Sequence, residues 1–62
     1  MNKILEGMNI IAKYEPEAHM YAGHDQIWFG RYIPEEMSVE DEDRLKLELG
    51  WFEAEDSWSH FC

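Results

Sequence analysis

The segment 38–61, SVEDEDRLKLELGWFEAEDSWSHF, constrains the fold of this chain more than any other part of the sequence. Ser38, followed three residues later by Asp41, is a variant of the capping box and predicts that a helix begins here. Gly50 stands where a helix commonly ends in the left-handed conformation. A short helix of this kind must bury one face, so the rest of the chain should complete a core against it.

An aromatic hairpin is predicted after the glycine, with strands at 51–54 and 57–61. A two-residue Glu55-Asp56 turn of the primed type would lack the usual Gly or Asn, so a four-residue loop around a type I turn is favoured. Both loops have an even length, whereas an odd loop would pair Trp51 with Phe61. The even length divides the aromatic side chains between two faces: Trp51, Trp58 and His60 on one, Phe52 and Phe61 on the other.

The first part of the chain predicts one helix and one strand. Residues 2–14 follow a helical period, and Gly7 in mid-helix indicates a close approach to another element. Residues 15–24 are interpreted as a connection. Residues 25–33 are rich in aromatic and β-branched side chains and predict a strand, with a bulge or a tight crossing at Gly30. The apolar face of the first helix consists of Ile4, Leu5, Met8, Ile11 and Ala12.

These elements predict an α+β fold in a single small acidic domain spanning 1–62. The expected order is α-β-α-β-β, with a three-stranded sheet packed on two helices. Cys62 is the only cysteine, so a disulfide within one chain is excluded, and an unpaired cysteine fits a reducing cytosol. No apolar run approaches the roughly 20 residues that span a bilayer. We therefore expect a cytoplasmic protein without a membrane segment.

The net charge of the chain limits the classes of partner that it can bind. Fourteen acids face five bases, for a net charge of −9. Such a polyanion is repelled by nucleic acid and by anionic membranes, whereas basic protein surfaces attract it. Most of the charge lies in the segment 35–56, whose only bases are Arg44 and Lys46. Its ten acids are Glu35, Glu36, Glu40, Asp41, Glu42, Asp43, Glu48, Glu53, Glu55 and Asp56.

This acidic segment is the candidate binding surface. One interpretation is a solvated helix face that complements the helix dipole and keeps the chain soluble. The other is an interaction surface whose carboxylates imitate a phosphate backbone and occupy a Lys/Arg groove on a nucleic-acid enzyme. Leu47 points away from the inward stripe of Leu45 and Leu49, which is expected to begin at Val39. The predicted partner-binding residues are Glu40, Asp41, Glu42, Asp43, Leu47, Glu48, Glu53, Glu55 and Asp56.

Catalytic and metal sites are less well supported by the sequence. No nucleophile elbow, Gly-rich loop or paired-carboxylate motif is present, so we predict a protein that is not an enzyme and needs no cofactor. Four side chains could bind zinc as a third choice, although their spacing is not that of a standard zinc knuckle. They are His19, His24, His60 and Cys62.

The runs HDQIWFGR, SVEDEDRLKLELGW and DSWSHF together resemble small acidic proteins of phages and prophages. The resemblance covers nearly the whole chain and brings no catalytic residue with it. It implies a small accessory protein that acts in the bacterial cytoplasm. The matching positions are His24, Asp25, Ile27, Trp28, Ser38, Asp41, Leu49, Gly50, Trp51, Trp58 and Phe61.

Charge and resemblance together predict a phage-type protein that binds and inhibits or modulates a host protein with a basic surface. The mechanism would be DNA-mimic-like occlusion of a surface that normally holds nucleic acid, for example in host defence. The alternative is a non-inhibitory structural protein, because the surplus of aromatic and apolar side chains would suit a homodimer.

Overall fold

The computed structural model of the chain describes residues 2–61, in which two helices pack on a four-stranded antiparallel sheet. The α+β class is therefore confirmed. The helices and strands are α1 (Lys3–Tyr14), β1 (Met20–Ala22), β2 (Gln26–Arg31), α2 (Val39–Asp43), β3 (Phe52–Ala54) and β4 (Ser57–Phe61). Two helical turns complete the chain, a 3-10 turn at Pro34–Glu36 and a π-helical turn at Arg44–Glu48 that continues α2.

The prediction of three strands in the order α-β-α-β-β was wrong. A fourth strand, β1, lies within the segment interpreted as a connection, and the sheet has the order β1-β2-β4-β3. All three residues of β1 are exposed, so the strand has no alternating pattern that a sequence could reveal. Its backbone pairs with β2 through Tyr21 opposite Trp28. Long-range pairing, not local pattern, therefore makes this segment a strand.

Helix α1 matches the predicted helix, and its glycine has the predicted close neighbour. The Asn2 side chain accepts a hydrogen bond from Leu5 N–H at 3.1 Å and caps the helix. A Cβ built on Gly7 would lie 1.9 Å from Trp51 Nε1, so the indole packs directly on the helix backbone. Trp51 Nε1–H also donates to the Lys3 carbonyl at 3.3 Å. Gly7 thus lets the first helix and the start of the hairpin meet.

A bulge interrupts β2 at Gly30, as the sequence indicated. Phe29 pairs with Trp58, but the next paired residue is Arg31, so the register shifts between them. Gly30 has a φ of +71°, which only glycine adopts readily. The extra residue brings Tyr32 against Trp58, where the two rings pack edge to face with their centroids 4.8 Å apart.

The helix at 38–50 follows the prediction at Leu45, Leu49 and its end, but Val39 was wrongly placed at the start of the inward stripe, since it is 71% exposed. Leu45 and Leu49 are buried, and Leu47 is 79% exposed. Gly50 has a φ of +76° and forms the left-handed end of the helix. The last turn, Arg44–Glu48, is π-helical rather than α-helical, which the sequence did not predict.

The hairpin turn differs from the favoured prediction. β3 and β4 pair down to Ala54 opposite Ser57, so the turn contains only Glu55 and Asp56. Both residues have positive φ, +56° and +64°, as a primed two-residue turn requires. Glu53 supports the turn, because its carboxylate accepts the Asp56 N–H at 2.9 Å. The prediction of a four-residue loop was wrong. The primed turn forms instead because its backbone twist matches that of the two strands.

The even loop length was nevertheless right, and it sorts the aromatic rings as predicted. Trp51 contacts His60 at 5.4 Å between centroids, and Phe52 contacts Phe61 at 4.9 Å. The sheet therefore has two different faces. The covered face packs against the helices, in a core of Ile11, Ile27, Phe29, Leu45, Leu49, Trp51 and Trp58. The other face, which we call the open face, carries the exposed Tyr21 and Phe61, the half-buried Trp28 and Phe52, and the buried Ser59. No helix within residues 2–61 is long and apolar enough to cross a membrane.

Candidate protein-interaction surface

The predicted partner-binding residues do not form one continuous strip along the chain. They divide into an outward group on the second helix, a pair engaged in internal contacts, and a group at the hairpin turn. The internal pair is Asp41 and Glu42. The other predicted residues, seven in number, are exposed: Glu40, Asp43, Leu47, Glu48, Glu53, Glu55 and Asp56.

Asp41 joins the second helix to the first. Ser38 Oγ accepts the Asp41 N–H at 3.1 Å, as the predicted cap requires. The Asp41 carboxylate does not complete the capping box; instead it accepts the Tyr14 hydroxyl and pairs with Lys13 Nζ at 2.8 Å. The ammonium group, followed by the phenol, holds the pKa of Asp41 below its usual range, and the carboxylate raises the pKa of Lys13. This carboxylate is thus already engaged within the chain.

Glu42 is engaged in a similar way. Its carboxylate pairs with Lys46 Nζ at 2.8 Å, one helical turn further on. Lys46 Nζ also lies 5.2 Å from the centre of the Tyr32 ring and 6.0 Å from that of Trp58. The Glu42 carboxylate, followed by the Tyr32 hydroxyl, raises the pKa of Lys46. The lysine therefore closes one edge of the core while its charge is neutralised.

The cations of the chain leave most of the acidic segment unneutralised. Four of the five pair with acids: Lys13 with Asp41, Arg31 with Glu15, Arg44 with Glu6 and Lys46 with Glu42. Only two of those acids belong to the segment 35–56. Within residues 2–61, the other eight acids of the segment have no ion pair, and all eight are exposed. They are Glu35, Glu36, Glu40, Asp43, Glu48, Glu53, Glu55 and Asp56.

The outward side of the second helix combines acids with apolar side chains. Glu40, Asp43 and Leu47 are spaced three and four residues apart, which puts them on one side of the helix. Val39 lies beside them, and both apolar side chains are more than two-thirds exposed. We call these four residues the α2 outer face. The α2 outer face therefore presents an exposed apolar pair among unpaired carboxylates.

A groove of about 700 Å³ opens beside the hairpin turn on the open face of the sheet. We call it the aromatic groove. Sequence reasoning missed it, because two of its walls depend on β1 and on the primed turn. The residues that matter for its chemistry are Glu15, Tyr21, Trp28, Arg31, Glu55 and Asp56.

Two contacts fix the shape of this groove. The Glu15 carboxylate accepts the Arg31 N–H at 2.9 Å, so the bulged backbone is held by the end of the first helix. On the other side, a Cβ built on Gly23 would lie 2.9 Å from Trp28 Cζ3, so the indole ring lies close against the β1–β2 turn. The Trp28 ring is therefore positioned by its surroundings before any partner binds.

The four candidate zinc ligands have different surroundings. His19 lines the aromatic groove, and His24 is exposed in the β1–β2 turn. His60 Nε2 lies 2.9 Å from the Leu49 carbonyl, and its ring packs against Trp51. Cys62 lies outside the described residues. Among residues 2–61, no three His, Cys, Asp or Glu side chains are grouped so that they could hold a metal ion.

Comparison of the chain with protein-family models, with curated proteins and with solved structures found no significant match.

Proposed function

We propose that this chain is a non-enzymatic binding module that covers a basic surface of a partner protein. The observation that supports this is the distribution of charge: eight exposed acids between residues 35 and 56 have no ion pair within the described residues. Unpaired carboxylates at this density repel one another, and a cationic surface relieves that repulsion. The α2 outer face would make the first contact, with Val39 and Leu47 as its apolar contacts.

We further propose that the setting is a bacterial cell and that the partner is a host protein. The sequence resemblance to phage proteins motivates this part of the proposal. A host factor that handles nucleic acid, including one used in defence, presents a groove of Lys and Arg side chains of the right charge. Occupying that groove would inhibit the factor without any chemistry on the part of the chain.

The test is a pull-down from a bacterial lysate with a matched pair of variants. Glu40→Lys with Asp43→Lys reverses two unpaired carboxylates on the α2 outer face. Glu17→Lys with Asp25→Lys changes the net charge equally at exposed positions outside the segment. We expect the first double variant to lose the partner and the second to keep it. Equal capture by both variants would contradict a role for this face.

Asp41 and Glu42 are left unchanged in this test. Their carboxylates bind Lys13 and Lys46, so reversing them would disturb the fold as well as the surface. A salt titration of the captured complex adds an independent measurement. Because exposed charges are screened at high ionic strength, capture should weaken between about 50 and 500 mM salt. Capture that does not change over this range would mean that charge does not drive the contact.

A second candidate function, a homo-oligomeric structural protein, is favoured by the open face. Tyr21 is 72% exposed and Phe61 is 61% exposed on that face. Aromatic side chains at these exposures are common anchors between subunits. Sedimentation of the purified chain tests this candidate. A wild-type chain that forms a stable dimer, together with a Tyr21→Ser and Phe61→Ser double variant that is a monomer, would support it. A monomer would exclude it.

A further inference from the structure

The chain holds two of its three lysines, Lys13 and Lys46, by the same arrangement. Lys13 lies 5.6 Å from the centre of the Tyr14 ring and 2.8 Å from the Asp41 carboxylate. Lys46 lies 5.2 Å from the centre of the Tyr32 ring and pairs with a carboxylate of its own helix. In both places an aromatic face and a carboxylate act on one cation, which adds a cation–π attraction to an ion pair.

The aromatic groove contains the same two components without the cation. Trp28 and Tyr21 form a cross-strand pair of rings on its wall. Glu55 and Asp56 supply exposed carboxylates at its rim, and neither has an ion pair within residues 2–61. The cation–π contacts among the described residues involve other rings.

The arginine that lines the groove does not occupy it in this manner. Arg31 Nε lies 3.9 Å from the Glu15 carboxylate, and the Arg31 side chain is 75% exposed. An exposed ion pair at that distance contributes little to stability. The guanidinium of Arg31 is therefore oriented toward Glu15 at one end of the groove, and the carboxylates of the hairpin turn remain free for another cation.

We propose that the aromatic groove binds an arginine side chain from a basic segment of a partner protein, stacked on Trp28 and paired with the carboxylates of Glu55 and Asp56. This inference rests on the proposed function and names the group by which the partner is held. Arginine fits better than lysine because its planar guanidinium stacks on an indole and can meet two carboxylate oxygens at once. A groove of about 700 Å³ also has room for the flanking backbone of the segment.

The charge of the chain identifies the occupant as a basic protein segment. A net charge of −9 opposes a second copy of the chain and opposes nucleic acid, whereas it attracts a segment rich in Lys and Arg. Positive φ at Glu55 and Asp56 is consistent with this role. Asn and Gly suit a primed turn better, so acidic side chains occupy two positions whose backbone conformation disfavours Glu in particular.

The probe is a short acetylated peptide of alternating serine and arginine, titrated into the full chain and followed by amide and indole NMR signals. Matched peptides carry lysine or the neutral isostere citrulline in place of arginine. We expect the indole signal of Trp28 to move and the affinity to follow the order arginine, lysine, citrulline. Equal binding of the citrulline peptide, or signals that move only at the α2 outer face, would overturn the proposal.

Variants with equal charge change complete the test. Glu55→Gln with Asp56→Asn removes both rim carboxylates, and Glu35→Gln with Glu36→Gln removes two exposed carboxylates that do not line the groove. The first pair should weaken arginine-peptide binding about fivefold or more, and the second less than about twofold. Equal effects would mean that the peptide senses net charge alone, which would overturn the proposal.

The contribution of the rings is tested separately. Tyr21→Ala alters an exposed side chain and should fold normally, so it keeps the test valid if Trp28→Leu is destabilised. Loss of arginine selectivity in Tyr21→Ala or Trp28→Leu would support the stacking contact, and unchanged selectivity in both would overturn it. The two proposals fail in different ways. If lysate capture depends on the α2 outer face but not on the aromatic groove, only the proposal for the groove is rejected and the proposed function stands.

Discussion

The two faces of the sheet use aromatic side chains for opposite purposes. On the covered face, Trp58 is completely buried between the helices and the strands. On the open face of the same strand, Phe61 is 61% exposed, and Tyr21 on the neighbouring ladder is more exposed still. Aromatic content is therefore not a measure of core size in this chain. Four of the nine rings pack in or against the core, and Tyr14 links the two helices. The other four lie on the open face, where a partner could cover them: Tyr21, Trp28, Phe52 and Phe61.

The two faces also differ in how their carboxylates are used. On the covered side, Asp41 joins the second helix to the first through Lys13, and Glu42 pairs with Lys46 one turn further along its own helix. The open side ends in Glu55 and Asp56, which have no such partners within the described residues. If this comparison holds, changes on the covered side should reduce stability, and changes on the open side should reduce binding.

The largest contrast is expected between two aromatic truncations on β4. Trp58→Ala should cost about 4 kcal/mol because it leaves a large cavity in the core. That is most of the stability available to a domain of this size, so the variant should be largely unfolded. Phe61→Ala should cost less than about 1 kcal/mol. Urea denaturation measures both, and similar losses would show that the open face is part of the core.

The next effect concerns the contact between Gly7 and Trp51. Gly→Ala in an exposed helix position gains about 1 kcal/mol. At Gly7 the sign should reverse to a loss of about 2 kcal/mol, because the new methyl group would overlap the indole and force it to move. Asn9→Ala on the exposed side of the same helix serves as the control and should be neutral or stabilising. A stabilised Gly7→Ala variant would contradict this packing.

A smaller, pH-dependent effect is expected at Asp41. The folded-state pKa of this carboxyl lies below 3.8, the ordinary value, so its stabilisation is present above about pH 4 and is lost as the pH falls through the folded-state pKa. Asp41→Asn should cost about 1 kcal/mol at pH 7 and flatten the acid limb of the stability profile. Asp43→Asn, an exposed change on the same helix, should leave that limb unchanged. The free energy of unfolding, measured from pH 2 to 7, checks both.

The smallest effect is a gain, and it lies on the open side. Asp56→Gly should stabilise the fold by about 0.5 to 1 kcal/mol, because glycine adopts the φ of +64° without strain. Asp56→Ala should be destabilising at the same position, since alanine lacks this freedom. Both variants remove a carboxylate at the rim of the aromatic groove, so both should bind the arginine peptide more weakly. Thermal unfolding with peptide titration separates the two consequences, and a less stable glycine variant would rule out the turn assignment.

The parts of the fold that depend on local signals could be predicted from the sequence. Ser38 and Gly50 delimit the second helix, and the period of residues 2–14 gives the first. The division of the hairpin's aromatic rings between the two faces followed from loop parity alone. The strand at Met20–Ala22 could not be predicted, because its residues are all exposed and its only reason to be extended is the neighbouring strand.

The candidate site was predictable only in part. Composition identified the acidic segment, but spacing could not show which carboxylates the five cations would engage. Asp41 is an example, since its partners Lys13 and Tyr14 come from a helix far away in the sequence. The groove required both β1 and the primed turn, so neither Tyr21 nor Trp28 could be connected with Glu55 and Asp56 beforehand.

The glycine bulge in β2 reverses the parity of the strand. Before Gly30, odd-numbered side chains face the helices, and after it the even-numbered Tyr32 does so. The inserted residue therefore shifts the alternation by one position, so that Ile27 and Phe29 before the bulge and Tyr32 after it all face the core. If Gly30 were paired as an ordinary strand residue, the simple alternation would continue past it and would exchange Arg31 and Tyr32 between the faces. The chain would then place a guanidinium against Trp58 and lose one wall of its groove, with no change in its sequence.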